Sequence, residues 1–233
     1  MTKIKVMALS DMHGMLPDLR AHPVDLVLIA GDIAPEYTDY NTDIAISWYT
    51  RDFYRWCKSY VSAQKVFFIL GSHDHALENF YPMLWETFHN NELKVQFLHN
   101  EIKVFRKEGR ELSVYGTEYN LNNGNHSFSK SDRELNKIYM KNNEFVDIVL
   151  SHEAPYGFGD TNNQTEAPGY QGVHHGSQSL RRYIQRMEPE VVIHGKYHSA
   201  THFKEKLQDT DIYNVCLMDE NHELTFKPLI FEI

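Results

Sequence analysis

Short apolar runs, each closed by a small or acidic residue or by histidine, punctuate the chain at residues 4–9, 24–30, 66–70, 145–150 and 191–193. Runs of this length, rich in Val, Ile and Leu and bounded by Gly or Asp, predict buried β-strands. Polar side chains able to hold a metal follow each run: Ser10-Asp11, Gly31-Asp32, Gly71-Ser72-His73-Asp74, Ser151-His152 and His194-Gly195-Lys196-Tyr197-His198. In α/β sheets, ligands bind in the crevice beyond the carboxyl ends of the strands. The pattern therefore places its chemistry at one end of a sheet.

Other segments have a helical period. Across residues 41–61, Ile46, Tyr49, Phe53, Trp56 and Tyr60 recur at steps of three and four, predicting an amphipathic helix. Its aromatic stripe reads as core rather than as a platform for bases. Further helices are predicted over 79–90 and 177–187, the latter closed by Glu188-Pro189. Strands are expected at 96–98, 102–106 and 112–116, with a turn at 107–110. Residues 212–218 and 224–230 flank Asp219-Glu220-Asn221-His222 as an expected hairpin. Strand–helix alternation followed by hairpins suggests two packed sheets with helices outside. No repeat or linker divides the chain, so one domain over 1–233 is expected. The polar stretches 120–130 and 156–176 are long enough to be functional loops.

Composition narrows the function. The 233 residues carry 23 Lys+Arg against 32 Asp+Glu, a net charge of −9. That balance gives no support to a nucleic-acid partner, which calls for a basic face. Cys57 and Cys216 cannot form a disulfide framework, and a reducing compartment is the simpler reading. The first residues lack the apolar stretch of a signal peptide, and no run of ~18 apolar residues predicts a membrane span. The expected location is cytoplasmic. Fourteen histidines exceed what a core uses, which directs attention to metal ligands.

Singly, Asp11 with His13, Asp32 behind Gly31, His152 and His198 each have ordinary structural explanations, a turn for the aspartates and satisfied hydrogen bonding for the imidazoles. Together, at five strand ends in order, they form a set of carboxylates and imidazoles that suits Mn, Fe or Zn better than Ca.

The stretches Ser10-Asp11-Met12-His13-Gly14, Gly31-Asp32-Ile33, Gly71-Ser72-His73-Asp74, Ser151-His152 and Gly195-Lys196-Tyr197-His198 resemble the calcineurin-like metallophosphoesterases. The resemblance runs from residue 4 to about 198, and the closing strands around Tyr213-Asn214-Val215 fit it. It implies a four-layer α/β sandwich of two mixed β-sheets flanked by helices, the metallo-dependent phosphatase fold, around a two-metal centre. Carried over by position, it assigns Asp11, His13, Asp32 and His198 to the first metal, with Asp32 bridging to the second. Asp32 and His152 remain for the second metal. Ser72 stands where the family has Asn, and Lys196 where it has His. Serine offers a short, weak oxygen ligand, and a protonated lysine has only donors. The divalent ion (Mn, Fe or Zn) is thus expected at the first site, with the second site degenerate.

Two readings of Lys196 follow. Its ammonium could occupy the second metal's volume and face the substrate phosphate as a catalytic charge, or it could point to solvent. Recruited ligands could come from His75, His174, His175, His194 or His202, although His194 lies ~6–7 Å back along its strand. The resemblance makes His73 the catalytic histidine, stabilising phosphate or protonating the leaving oxygen, with Asp74 supporting it. The run Gly172-Val173-His174-His175-Gly176-Ser177 resembles one branch of the family, which makes His175 a substrate-binding candidate.

The implied activity is hydrolysis of a small phosphomonoester or phosphodiester, a nucleotide among the candidates, by a metal-activated water. The alternative is an impaired member that binds a nucleotide or protein partner as a scaffold. A nuclease would use the same metal chemistry, but no basic stretch supports it. Substrate identity, metal identity and oligomeric state stay open.

Overall fold

The computed structural model describes residues 2–122, 126–161, 173–198 and 204–233. In the first sheet, β1 (Lys5–Leu9), β2 (Leu19–Ala30), β3 (Val61–Ile69) and β4 (Val95–Phe97) run parallel. The second sheet contains β5 (Glu101–Lys107), β6 (Arg110–Thr117), β9 (Ile148–Ser151), β10 (Val191–His194), β11 (Lys204–Leu207) and β12 (Thr210–Asn214). Its order is β11-β12-β10-β9-β6-β5, parallel at the centre and antiparallel at both edges. A small pair, β7 (Asn120–Leu121) with β8 (Ser129–Lys130), lies between β6 and β9 in sequence.

Side chains alternate along the strands and build two faces. Val6, Ala8, Leu26, Leu28, Phe67 and Ile69 pack with Leu112, Val114, Ile148, Leu150 and Ile193 of the second sheet. Met7, Leu9, Val27, Ile29 and Phe68 face the opposite way, onto Trp48, Tyr49, Phe53 and Trp56. The outer face of the second sheet, with Tyr115, Val149 and Val192, is covered by Leu135, Tyr139, Leu180, Tyr183 and Ile184. Helix, sheet, sheet and helix make four layers. Burial of both strand faces explains why the strand sequences read as continuous apolar runs.

The aromatic stripe is core, as expected, except that Tyr60 is exposed. Its helix is not uniform. α1 (Thr42–Trp48) and α2 (Tyr54–Ser59) are joined by a wide π-helical turn over Tyr49–Phe53. There the Thr50 hydroxyl donates to the Ile46 carbonyl at 2.8 Å. α3 (Tyr81–Phe88) and α5 (Gln178–Met187, capped by Ser177) match expectation. α4 (Asp132–Lys141) is an addition to the expected helices, although Ser131 and Glu134 form a capping box whose spacing is visible in the sequence.

The expected C-terminal hairpin is corrected. The arms meet only next to the turn, through the Met218–Leu224 bridge and through Thr225 and Phe226 N–H donating to the Leu217 carbonyl, both at 3.0 Å. β12 belongs to the second sheet, whereas β13 (Leu229–Glu232) pairs antiparallel with β1 in the first. Each arm finds a better partner in an existing sheet edge than in the other arm. His202, one of the possible recruited ligands, lies outside the described residues. Among the described residues no helix is long and apolar enough to cross a membrane.

Candidate metal centre

The loops after β1, β2, β3, β9 and β10 meet at one end of the sandwich. Asp11, His13, Asp32 and Lys196 all adopt left-handed backbone, with φ of 53°, 43°, 48° and 73°. Non-glycine residues pay a steric penalty there, and such strain concentrates at functional sites. The surrounding backbone holds it in place: Met12 and His13 N–H both donate to the Asp32 carbonyl, at 2.9 and 3.1 Å. Close packing of the loops also demands glycine at two points. A Cβ on Gly71 would stand 2.1 Å from Asp32 Oδ1, and one on Gly195 2.4 Å from Asp11 Oδ2.

Asp11, His13 and Asp32 each present a ligand atom within 4.8 Å of the others. His198 Nε2 lies 3.3 Å from Asp11 Oδ1, and His13 Nε2 4.0 Å from Asp32 Oδ2. Donors bonded to one transition-metal ion at ~2.0–2.2 Å stand about 3–4 Å apart, so Asp11, His13 and Asp32 fit a divalent ion, with His198 beside Asp11. His198 Nδ1 lies 3.1 Å from the Asp219 carbonyl, which can only accept. That gives Nδ1 a proton; in the metal-free protein Asp11 raises the imidazole against its burial and takes the Nε2 contact, the atom a metal would compete for. Burial would raise the Asp11 carboxyl, but the His198 hydrogen bond and the fields of His152 and His198 hold it well below the carboxylate range. Burial lowers His13, favouring the neutral imidazole a metal needs.

The second half differs. Ser72 Oγ donates to Asp32 Oδ2 at 3.1 Å and lies 3.1 Å from His152 Nε2. His152 Nε2 is itself 3.3 Å from Asp32 Oδ2, and its Nδ1 is 2.7 Å from the Ala30 carbonyl. Burial opposes charge on His152, yet Asp32 outweighs it and pushes the imidazole up to about 9. Without metal, this half is an ion pair. Lys196 does not complete it as a ligand. Its Nζ donates to Glu153 Oε2 at 2.6 Å, with the two side chains 7% and 0% exposed. The solvent-pointing reading of Lys196 is therefore corrected: a carboxylate buried behind the loop draws the ammonium inward. Glu153 also accepts from Tyr197 OH at 3.0 Å and from the Leu121 and Ala154 N–H groups at 2.8 and 3.1 Å.

His73 sits beside His13. Its N–H donates to Asp32 Oδ1 at 2.9 Å, and its ring centroid is 5.3 Å from that of His13. Asp74 turns inward, accepting from Tyr49 OH at 2.8 Å and Gly71 N–H at 2.7 Å; burial and the Asp32 charge push it up to about 7. His194 is fully buried, its Nδ1 on the Gly195 carbonyl, and burial pushes it down to about 4. Next in the loop before α5, His174 Nδ1 contacts Asp160 Oδ1 at 2.6 Å, and the His175 N–H donates to the Asp160 carbonyl at 3.1 Å. The Ser127 hydroxyl engages His75 Nδ1 at 2.9 Å.

Three residues without a role in the sequence reading join the centre. Glu153 follows His152 directly, and an acid next to a ligand histidine, in a chain with a misplaced lysine, was a readable clue. His126 brings its ring 6.2 Å from that of His73. His222 brings its ring 5.1 Å from that of His198 and 6.1 Å from that of His13. Nothing local marks His222, which arrives from the turn after β12.

Comparison with known proteins agrees with this geometry. UPF0046 protein T07D4.2 of Caenorhabditis elegans is 29% identical over 128 residues, 52% of this chain and 29% of that protein. The match thus spans under a third of that relative's length. Two solved structures share the fold. TT1561 of Thermus thermophilus superposes with a TM-score of 0.61 at 13% identity, over 91% of this chain and 89% of that one. The phosphopantetheinyl hydrolase of Mycobacterium tuberculosis superposes with a TM-score of 0.55 at 12% identity, over 98% and 95%. The sequence model described as calcineurin-like phosphoesterase matches residues 4–200. With two mixed sheets between helices and the loops of that match converging on Asp32, the chain belongs to the calcineurin-like phosphoesterase family.

Proposed function

We propose that the protein, acting as one domain, hydrolyses a small phosphomonoester or phosphodiester with a divalent metal held principally in the first site. The observation that carries this reading is the convergence of Asp11, His13 and Asp32 within 4.8 Å, with His198 beside Asp11. A divalent ion there supplies Lewis acidity and lowers the pKa of water toward ~7. The chain's own part is to hold that charge and to meet the substrate. Asp11 and Asp32 provide the compensating negative charge, and His13 and His198 the neutral nitrogens. His73, whose backbone N–H donates to Asp32, meets a phosphoryl or departing oxygen with its imidazole in this reading.

Lys196 enters as a positioned charge shared with Glu153, so its contribution at a phosphate is weaker than that of a free ammonium. His175 belongs to this reading as a contact to the substrate's far side. The acidic net charge favours a small substrate, a nucleotide among them, over nucleic acid. Two free, buried cysteines support a cytoplasmic, reducing setting.

The test is an assay of purified protein on an aryl phosphate and an aryl phosphodiester with added Mn²⁺, beside the Asp32→Asn variant. Turnover of either ester that disappears in the variant supports the proposal. Metal-loaded protein inert on both esters, and on a nucleotide panel, overturns it. That result would favour the scaffold reading, whose specific support is the Lys196–Glu153 pair standing where a second-site ligand is expected.

A further inference from the structure

Cys216 approaches the first site from behind. The segment after β12 pairs with the end of β1: Ser10 N–H donates to the Val215 carbonyl and Leu217 N–H to the Ser10 carbonyl, both at 3.0 Å. This brings Cys216, fully buried, alongside Asp11. Asn214 fixes its position, accepting from Cys216 N–H at 3.1 Å while its amide donates to the Tyr197 carbonyl at 2.6 Å. The same asparagine thus ties the cysteine to the loop that carries His198.

The geometry points to Cys216 as a sulfur ligand of a metal ion on the Asp11–His198 side of the first site, in a carboxylate, imidazole and thiolate set with those two residues. The inference rests on the first site holding a metal. Ligand atoms of Asp11, His198 and Cys216 all lie within 4.8 Å of one another. Cys216 Sγ is 3.0 Å from Asp11 Oδ2, and His198 Nε2 is 3.3 Å from Asp11 Oδ1. A zinc ion bonded to oxygen at ~2.1 Å and sulfur at ~2.3 Å separates the two by about 3.1–3.6 Å at angles of about 90–110°. Oxygen and nitrogen donors about the same ion stand about 2.9–3.4 Å apart. Each observed separation lies close to these values, the sulfur on Oδ2 and the imidazole on Oδ1, so an ion taking both donors sits across the carboxylate edge. Ser10 Oγ and the Lys196 N–H hold the carboxylate in place, at 2.5 and 3.1 Å from Oδ2. A divalent cation takes a nearby sulfur as thiolate, with release of its proton to solvent. Thiolate is a soft donor, so the site would prefer Zn, Co or Fe to Mn more strongly than carboxylate and imidazole alone dictate.

The competing role is a thiol that only donates to Asp11, and serine at 216 would keep that hydrogen bond while removing the sulfur. Chelator-stripped protein is titrated with Co²⁺ under reducing conditions, as wild type, Cys216→Ser and Cys57→Ser. The expected result is visible cobalt d–d bands in all three, with a near-ultraviolet thiolate-to-cobalt band in wild type and Cys57→Ser only. Changes around a metal's ligands alone cost ~10–100-fold in affinity, so Cys216→Ser should lower zinc affinity at least about tenfold and manganese affinity less. Visible bands without the thiolate band in wild type overturn the assignment and leave the first site intact. Failure of wild type to bind cobalt overturns the first-site reading together with this one. The wild-type and Cys57→Ser spectra decide the matter even if Cys216→Ser does not fold.

Discussion

On the His13 side of Asp32 the donors are Asp11, His13 and His198; on the other side they are His152 and Ser72, with Lys196 turned away onto Glu153. Both halves share one carboxylate and the same strand ends. On the first side, burial leaves His13 neutral, and His198, raised against its burial by the contact with Asp11, is the one imidazole set against the carboxylates. On the second, His152 carries a proton against Asp32 and the lysine against Glu153, so the metal-free state is already neutralised. A metal entering the second half must displace a proton and approach a fixed ammonium. Charge compensation, more than the missing ligands alone, separates the two halves.

The sharpest way to break this comparison is Asp32→Asn, which removes the carboxylate common to both. Most bound metal should be lost by elemental analysis, and hydrolysis with it. Because His152 is then buried without its partner, the chelated variant should also lose about 3–5 kcal/mol in denaturant unfolding. Full metal occupancy in this variant would mean that Asp32 is not the bridge.

His73→Ala comes next. On the proposed reading it meets the substrate and holds no metal, so turnover should fall by ~10²–10⁴ with metal content unchanged. Loss of metal would move His73 into the ligand set.

Restoring the family residues tests the second half directly. Ser72→Asn with Lys196→His should raise stoichiometry from nearer one metal per chain toward two, and each single substitution should do less. Lys196→His leaves Glu153 buried and unpaired, so Glu153→Gln is added to keep the variant stable. Two fully occupied metals in the unmodified protein would erase the contrast between the halves.

The smallest effect is a pH dependence. In metal-free protein the folded His152 titrates at about 9, above its ordinary 6.5. Its stabilisation is therefore complete below about 6.5 and is lost as pH rises through about 9. The Tm of chelated protein should fall across that window, and Ser72→Ala, which keeps the Asp32–His152 pair, should retain the fall. A flat profile would mean that the pair is not ionised.

The first half was legible because its residues follow apolar strands in short, ordered stretches, Asp11-Met12-His13 above all. The Ser72 and Lys196 departures were legible by position as well. Where Lys196 points was not, because its partner Glu153 lies 43 residues away and is brought near by the parallel pairing of β9 with β10. The capping box of α4 is written in the sequence, but it sits at the end of a polar stretch that masks it. The C-terminal hairpin was legible at its turn and not beyond it: a turn signal specifies that the chain reverses, not which sheet edge receives the second arm.

By itself, then, the sequence determined the central strands, the order of the polar residues at their ends, and which residues depart from the family pattern; β7, β8 and β11 were not among the expected strands. These are local matters, set by hydrophobic periodicity and by the backbone preferences of Gly and Asp. Tertiary structure alone decided the company those residues keep: Lys196 with Glu153, Cys216 with Asp11, His222 with His198. Each pair joins segments apart in the chain. Its energy comes from excluding water around charges that the unfolded chain leaves solvated, and no local pattern carries that information.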